Sequence, residues 1–223
     1  GVEEVSSGLV VKVDPSTISS LSGWSYGGFH FTLSQAFDEI NGGPVTDADG
    51  VRCIRITAGD RLTLNYKPFD GDPRRDGLAL KLIYAIKDST DKDAVGISCM
   101  NGGVGLECKA NNAYLYGNQT TLEMSLCEDQ KVELDINIEP DSADKLASMW
   151  ESACTFSVDQ YAANESYSQG TAQGITFGSD DADVYLYLFR AYNRDLTETE
   201  IKANFVADGK DGSEILARKN RND

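Results

Sequence analysis

The feature that most constrains the fold is an alternation of apolar and polar residues that recurs along most of the 223-residue chain. In residues 27–33, 77–88 and 130–141 the apolar residues fall on every second position. Successive side chains of a β-strand point to opposite faces, so this pattern predicts strands with one buried face. Glycine, aspartate and asparagine separate the segments, as is typical of turns between antiparallel strands. The sequence therefore predicts an all-β protein.

Two pairs of strands have the pattern of hairpins. Residues 51–66 contain two alternating runs around a turn at 58–60, and residues 95–110 contain two runs around Gly102–Gly105. We also predict a short helix in residues 140–150, because Pro140 would end a strand and Asp141 or Ser142 could cap a helix.

Residues 130–141 show the alternation most clearly. The pattern directs Glu133, Asp135, Asn137 and Glu139 to one face, which we interpret as a solvated face. The apolar residues of the same run are predicted to point inward, and they are Val132, Leu134, Ile136 and Ile138.

A strand followed at once by a capped helix is predicted near the end of the chain. Residues 184–192 are largely apolar on both faces, which indicates a strand that is covered on both sides. Thr197 and Glu200 have the spacing of a capping box, and Leu196 and Ile201 that of a hydrophobic staple. The sequence therefore predicts a helix that lies on a β sandwich.

This segment also carries a family resemblance. Residues 174–208 resemble the closing segment of concanavalin A-like, laminin G-type jelly-roll domains. The matching positions are Arg190, Tyr192, Asn193, Arg194, Leu196, Thr197, Glu200, Ile201 and Asn204. The resemblance implies a two-sheet antiparallel jelly-roll sandwich with one or two short helices, one of them after the last strand. We expect residues 1–223 to form one such domain, cut from a longer protein.

The resemblance extends to versions of the domain found in bacteriophage tail and bacterial surface proteins. It implies a non-catalytic binding or adhesion module that recognises a glycan or a protein ligand, at the cell surface or on a virion. Neighbouring subunits or domains of a larger assembly are further expected partners. Because one fold hosts many functions, the resemblance indicates the fold more directly than the activity.

The charge excludes two classes of partner. The chain has 36 acidic and 20 basic residues and a formal net charge of −16. Such a field repels the phosphates of nucleic acids and the surface of anionic membranes. The sequence also contains no apolar run long enough to span a bilayer, so we predict no membrane insertion.

Five cysteines, at positions 53, 99, 108, 127 and 154, could form either free thiols or disulfides. Cys99 and Cys108 flank the predicted hairpin tip and could face each other across it. A chain of this size folds without disulfides, so buried free thiols are the favoured interpretation. The spacing includes no CxxC motif and the only histidine is His30, which argues against a zinc site.

An enzymatic alternative depends on Glu133 and Asp135. Glycoside hydrolases of the same fold carry catalytic carboxylates on one strand, and these two residues share a face. The following positions, Asn137 and Ile138, do not complete the pattern, so we predict no catalytic residues. A glycoside hydrolase or lyase, and a purely structural assembly domain, are the two alternatives to the binding module.

Binding residues are predicted from aromatic side chains near irregular segments, because a sugar ring stacks on an aromatic face. These are Trp24, Tyr26, Trp150 and Tyr161. No cofactor or resident metal is predicted. Calcium is the one alternative, at the carboxylate-rich turns of residues 47–50 and 178–183.

Overall fold

The computed structural model describes residues 3–37, 42–69, 77–101, 104–116, 121–125, 128–139, 146–152, 156–162 and 174–209. Within residues 146–162 it describes the backbone only.

Sixteen strands and one α-helix make up the described chain, with a single 3-10 turn at Pro15–Thr17. In chain order, the strands are β1 (Leu9–Val13), β2 (Ser25–Tyr26), β3 (Phe29–Leu33), β4 (Val45–Thr46), β5 (Arg52–Ile56), β6 (Leu62–Leu64), β7 (Leu78–Lys87), β8 (Val95–Asn101), β9 (Val104–Lys109), β10 (Asn112–Tyr116), β11 (Thr121–Ser125), β12 (Val132–Ile138), β13 (Leu146–Ser152), β14 (Phe156–Ala162), β15 (Ile175–Phe177) and β16 (Asp183–Tyr192). The helix, α1, is Glu198–Ala207.

The strands form two eight-stranded sheets, and every pairing in them is antiparallel. Sheet I has the order β14-β13-β12-β7-β16-β5-β4, with β1 also paired to β16. Sheet II has the order β11-β10-β9-β8-β15-β6-β3-β2. The predicted two-sheet antiparallel sandwich with one helix after the last strand is therefore confirmed.

The main core lies between the sheets and contains the apolar positions of the alternating strands. Sheet I supplies Leu82, Leu134 and Phe189, and sheet II supplies Leu106 and Phe177. All five are buried and belong to one contiguous cluster. Burial of such side chains stabilises a fold by roughly 1.5–3 kcal/mol each relative to exposed positions.

The outer face of sheet I is largely covered, unlike that of an ordinary antiparallel sheet with one wet side. At one end, α1 packs Ile201 and Phe205 against Ala79 and Tyr192 of the sheet. At the other end lies a second apolar cluster, whose buried members are Val45, Cys53, Ile83, Ala85, Tyr187 and Leu188. Polar and charged residues occupy the space between these clusters.

The N-terminus of α1 has the predicted capping box. The Glu200 amide donates to Thr197 Oγ1 at 3.2 Å, and the Thr197 amide donates to Glu200 Oε1 at 3.0 Å. Leu196 and Ile201 belong to the same apolar cluster, which confirms the staple. The covered strand is confirmed too, because β16 is buried on both faces for most of its length.

Two predictions of local structure are wrong. Residues 51–66 do not form a hairpin, because β5 pairs with β4 and β16 in sheet I while β6 pairs with β3 and β15 in sheet II. The turn between them crosses the sandwich, so both strands contribute to the core from opposite walls. The second hairpin, β8 with β9, is confirmed.

The short helix predicted for residues 140–150 is also wrong where the structure describes it. Residues 146–152 form strand β13, which pairs with β12 on one side and β14 on the other. Backbone hydrogen bonds from two neighbouring strands outweigh the weak local preference for helix in this run. The proposed cap at residues 141 and 142 lies outside the described residues.

A close approach of two backbones at the crossing predicts the effect of one substitution. Gly178 has φ +125°, and a Cβ there would lie 2.3 Å from the backbone oxygen of Asp60. We expect Gly178→Ala to lower the free energy of unfolding by roughly 2–5 kcal/mol, through backbone strain and the clash. The measurement is urea denaturation followed by fluorescence.

Gly59→Ala is the matched control. Gly59 has φ +99°, but nothing lies within 4 Å of its would-be Cβ. Gly59→Ala should therefore lower the free energy of unfolding by only about 1–2 kcal/mol, which is the strain of a left-handed backbone conformation. Equal costs for the two variants would contradict the close packing assigned to Gly178.

Candidate functional site

A buried charged cluster lies on the outer face of sheet I, between the helix and the second apolar cluster. Strand register brings its members together, because Lys81 of β7 lies opposite Asp135 of β12 and opposite Arg190 of β16. Glu133 is two residues from Asp135 on the same face of β12. Asp208, the C-cap residue that directly follows α1, reaches Lys81 from above the sheet.

Lys81 is the centre of this cluster and its side chain is fully buried. Its Nζ lies 3.1 Å from Glu133 Oε2, 3.4 Å from Asp135 Oδ2 and 3.1 Å from Asp208 Oδ2. The ring of Phe205 in α1 covers the ammonium from the outside, with its centroid 3.8 Å from Nζ. One cation therefore joins two strands and the end of the helix.

Arg190 is the second buried cation. Its guanidinium pairs with both carboxylate oxygens of Asp208, and its Nε donates to Glu4 Oε2 at 2.7 Å. Glu4 in turn accepts from Lys12 Nζ at 2.9 Å. Asp208 thus binds Arg190 in a bidentate manner while it also binds Lys81, which fixes the C-terminal end of α1 on the sheet.

The cluster contains one carboxylate more than it has cations, and burial among these charges raises the pKa of Asp135. Burial raises this pKa, Lys81 lowers it, and Glu133 and Asp208 raise it, with a net result of about 7. Its Oδ2 lies at ion-pair distance from Lys81 but makes no hydrogen bond to the described residues. Burial lowers the pKa of Lys81, but the three carboxylates outweigh it and keep this ammonium charged.

Asn137 extends the polar line of β12 toward the start of the helix. Its amide nitrogen donates to the Leu196 carbonyl at 3.0 Å, and its amide oxygen accepts from the Leu196 amide at 2.8 Å. These two buried bonds fix the residue just before the capping box. Both ends of α1 are therefore held by side chains of sheet I.

An open pocket of about 530 Å³ adjoins the charged cluster on this outer face. Its apolar lining consists of Ile83, Tyr187, Leu188, Ala207 and Val51, and Val51 is 39% exposed. Its polar lining consists of Glu4, Lys12, Asp14, Ser16, Arg52, Lys131, Glu133, Arg190 and Asp208. The pocket therefore combines an apolar surface with charged side chains that the cluster partly immobilises.

Tyr187 is held in a defined orientation within the pocket wall. Its hydroxyl donates to Asp47 Oδ2 at 2.7 Å, and Lys131 Nζ lies 4.1 Å from the centroid of its ring. Asp47 also accepts the amides of Asp49 and Val51, both at 2.9 Å, and so closes the turn beside the pocket. The ring is thus a fixed surface with a cation above it.

The structure corrects the interpretation of Glu133 and Asp135. The alternation did place them on the face opposite the core, as predicted, but that face is not solvated. Glu133 is 6% exposed and Asp135 is 3% exposed, because Lys81 pairs with both of them and α1 covers this part of the sheet. Of this pair, only Glu133 lines the pocket.

The charged cluster was not predicted: Lys81 was not singled out, and Arg190 was named only for the family resemblance. A signal existed, since each is a basic residue inside an otherwise largely apolar run, well before the polar ends of the strand. A cation in such a strand requires a buried acidic partner, because an unpaired charge in the interior is costly. The acidic partner from the helix end, Asp208, had no comparable signal.

Of the four predicted aromatic residues, the two whose side chains are described, Trp24 and Tyr26, do not line this pocket. Trp24 is half-buried and stacks on Phe31 at 4.7 Å, and Tyr26 is 37% exposed on the edge strand of sheet II. Trp150 and Tyr161 are on β13 and β14, and their side chains lie outside the described part. Ligand binding by these four residues stays a prediction.

The acidic turn at residues 178–183 uses its carboxylates within the protein, as Asp47 does in the turn at residues 47–50. Asp180 pairs with Arg61, Asp181 contacts Thr90, and Asp183 pairs with Arg55 and accepts the Ala58 amide. The described residues contain no group of three or more side chains placed to hold a metal ion. Calcium binding at these turns stays a prediction.

Three of the five cysteines are described, and all three are buried free thiols: Cys53, Cys99 and Cys108. Cys99 and Cys108 do not face each other, because the register of β8 and β9 places them opposite Leu106 and Ile97. Burial is the main cause that raises the pKa of each thiol, to about 11 for Cys53 and about 12 for the other two. Such thiols are poor nucleophiles. Cys127 and Cys154 lie outside the described residues.

No protein-family model and no curated protein sequence matches the chain. Solved structures do resemble it. The receptor-binding domain of the botulinum neurotoxin C/D mosaic serotype superposes with a TM-score of 0.60 at 9% identity, over 92% of this chain and 52% of that one. The serotype D ligand-binding domain in complex with N-acetylneuraminic acid gives 0.54 at 11% identity, over 82% and 47%.

A protein of unknown function from Shewanella oneidensis MR-1 also superposes, with a TM-score of 0.54 at 10% identity over 87% of this chain and 91% of that one. The chain spans about half the length of the botulinum neurotoxin domains it matches. At these identities the likeness shows the fold: a two-sheet β sandwich. In the described part of the chain, no helix is long and apolar enough to cross a membrane.

The raised pKa of Asp135 predicts how stability depends on pH. Between its ordinary pKa of 3.8 and about 7, the folded protein binds a proton here that the unfolded chain does not. The contribution of Asp135 therefore makes the fold less stable as the pH rises through this window. Asp135→Asn removes this titration and should gain about 1–3 kcal/mol relative to wild type between pH 5 and pH 8.

Urea denaturation of both proteins at the two pH values measures this change. Titratable groups present in both proteins contribute equally to the two unfolding free energies. Their contributions therefore cancel when one value is subtracted from the other. A difference in unfolding free energy that is the same at pH 5 and pH 8 would contradict the assignment of a proton to Asp135.

Proposed function

We propose that this chain is a non-catalytic binding module that recognises a glycan through the pocket on the outer face of sheet I. The observation that carries the proposal is the composition of the pocket: an apolar surface with one fixed aromatic ring, bordered by side chains that hydrogen-bond. Its volume of about 530 Å³ falls in the range of small-ligand sites, roughly 300–1,000 Å³.

A saccharide matches these two kinds of surface. The C–H face of a sugar ring packs on apolar groups, here the exposed Val51 and the small accessible parts of Leu188 and Tyr187, which are 7% and 9% exposed. Its hydroxyls and any charged substituent need donors and acceptors at fixed positions. The ion pairs of Glu4 and Arg190 hold two such groups in place before a ligand arrives.

The structural comparisons support a binding role. The botulinum neurotoxin matches are described as receptor-binding or ligand-binding domains, and one of them is in complex with N-acetylneuraminic acid. Because this chain matches about half of each, the glycan ligand is carried over as a proposal. Membership of the concanavalin A-like, laminin G-type family is proposed on the residues around Arg190 and Leu196 together with the two-sheet fold.

We place the module outside the cell, on a bacterial surface or in a phage tail, on the resemblance of residues 174–208 to such proteins. The net charge of −16 agrees with partners other than nucleic acids and anionic membranes. Adhesion through a displayed pocket is the mechanism that this arrangement supports.

The position of the two carboxylates argues against the glycoside hydrolase alternative. Retaining glycosidases need two carboxyl groups about 5–5.5 Å apart on either side of the scissile bond. Here Glu133 lines the pocket, while Asp135 lies beneath it, paired with Lys81. The purely structural alternative predicts a broad exposed apolar patch, whereas the described residues expose only Tyr26 and Val51 among large hydrophobic side chains.

Binding to a broad glycan array, run with calcium and again with EDTA, tests the proposal. Val51→Glu introduces a charge into the apolar part of the pocket and should abolish specific signal, since it removes the surface on which the sugar packs. Thr32→Glu, an exposed strand position in sheet II, is the matched control and should bind as wild type does.

Trp24→Ala separates the pocket from the aromatic site predicted from the sequence. Retained binding in this variant, with loss in Val51→Glu, would place the ligand in the pocket. Loss in Trp24→Ala alone would move the site to sheet II. A blank array under both conditions would overturn glycan binding and favour a protein ligand or an assembly role.

A further inference from the structure

We infer that the pocket selects saccharides that carry an anionic group, and that Arg52 and Lys131 bind that group. This inference rests on the proposed function and names the class of its ligand. Its basis is a difference among the charged groups that line the pocket. Some of them already form ion pairs or hydrogen bonds, and others do not.

The acidic side chains that line the pocket are all engaged. Glu4 pairs with Lys12 and Arg190, Glu133 with Lys81, and Asp208 with Lys81 and Arg190. Asp14 accepts the Ser16 amide at 3.0 Å and the Ser16 hydroxyl at 2.7 Å, which caps the 3-10 turn. A cationic ligand would have to compete with these contacts.

Two cationic side chains that line the pocket, Arg52 and Lys131, form no ion pair with the described residues. Among the described residues, no carboxylate lies within 4.0 Å of the charged nitrogens of Arg52 or Lys131. One terminal nitrogen of Arg52 donates to the Ile18 carbonyl at 3.4 Å, which leaves most of its five N–H donors free for another partner. Lys131 contacts the Tyr187 ring, and its ammonium makes no hydrogen bond to the described residues, so its three N–H donors can bind a ligand.

These two side chains stand out in a chain with 36 acidic and 20 basic residues. Carboxylates are abundant, yet none of the described ones lies within ion-pair distance of these two cations. Asp47, whose charge interacts with Lys131 over a longer distance, is already engaged with the Tyr187 hydroxyl and two backbone amides. An anion placed there would make charge-assisted hydrogen bonds, which are roughly twice as strong as neutral ones. The apolar lining next to them, Tyr187 and Leu188, would contact the uncharged part of the same ligand.

The ligand that fits both features is a saccharide with a carboxylate or a sulfate on its ring or side chain. A neutral sugar would use the apolar lining but leave both cations unused. A simple inorganic anion would use the cations but make no contact with the apolar lining. The combination therefore favours an acidic sugar over either of these.

Matched acidic and neutral probes test the inference. The probes are sialyllactose against lactose and glucuronate against glucose, with affinities measured by ligand-observed NMR titration at 0.15 M NaCl. The wild-type protein should bind each acidic probe at least about tenfold more tightly than its neutral partner. Both Arg52 and Lys131 are exposed, so variants at these positions are expected to fold.

Arg52→Gln and Lys131→Gln should each weaken binding of the acidic probes by about tenfold and change binding of neutral probes less than about twofold. Lys131→Arg should keep the preference. Lys109→Gln is the matched control, because Lys109 also lies over a tyrosine ring, at 4.9 Å from Tyr114, but in sheet II.

The outcomes separate the inference from the proposed function. Equal affinity for acidic and neutral probes, or acidic binding unchanged in both glutamine variants, would overturn the anion selectivity while leaving a glycan-binding pocket. No saccharide binding in the wild type, on the array or in the titrations, would overturn the proposed function itself. A preference for acidic probes that Lys109→Gln also removes would show a general charge effect and would overturn the pocket assignment.

Discussion

The ion pairs of Lys81 hold together the parts of the outer face on which the proposed site depends. A fully buried ammonium in the middle of a strand is tolerable only if several carboxylates surround it, because the loss of hydration is otherwise prohibitive. Here they come from a neighbouring strand and from the residue that ends the helix. Because buried Lys81 needs carboxylate partners, the helix ends where Asp208 can reach Lys81 on the sheet.

The consequences reach segments that are far apart in sequence. Asp208 also binds Arg190, and Arg190 binds Glu4, so the segment before the first strand is tied to the residue after the helix. Removal of one partner from a buried ion pair typically costs 3–5 kcal/mol, since the other charge stays behind uncompensated. The same residues form one border of the pocket, so the geometry of the pocket depends on charges that are buried beneath it.

The sequence was sufficient to predict most of the architecture. Alternation identified the strands, and the spacing of Thr197 and Glu200 identified the capped helix, because both signals are local and physical. The pairing of β5 with β16 instead of β6 was not predictable in this way, since it depends on which sheet each strand joins. Residues 146–152 form a strand because two neighbours supply its hydrogen bonds, which no local pattern encodes.

The site was less accessible from the sequence than the fold. Glu133 and Asp135 were correctly assigned to one face, but alternation cannot show that a distant helix covers that face. Val51, Arg52 and Lys131 lie at the ends of strands or next to them, where polar residues are expected and carry no special signal. Their relation appears only when β12, β7, β16 and β5 are placed in this order in sheet I.

The central claim is that buried charges hold α1 on sheet I, and amide hydrogen exchange tests it most directly. The comparison is between wild type and Asp208→Asn, which removes the carboxylate shared by Lys81 and Arg190. We predict faster exchange in residues 198–207 of the variant, with the amides of β7 and β16 as protected as in wild type. Unchanged protection of the helix would contradict the claim, and would assign its docking to the apolar contacts of Ile201 and Phe205 alone.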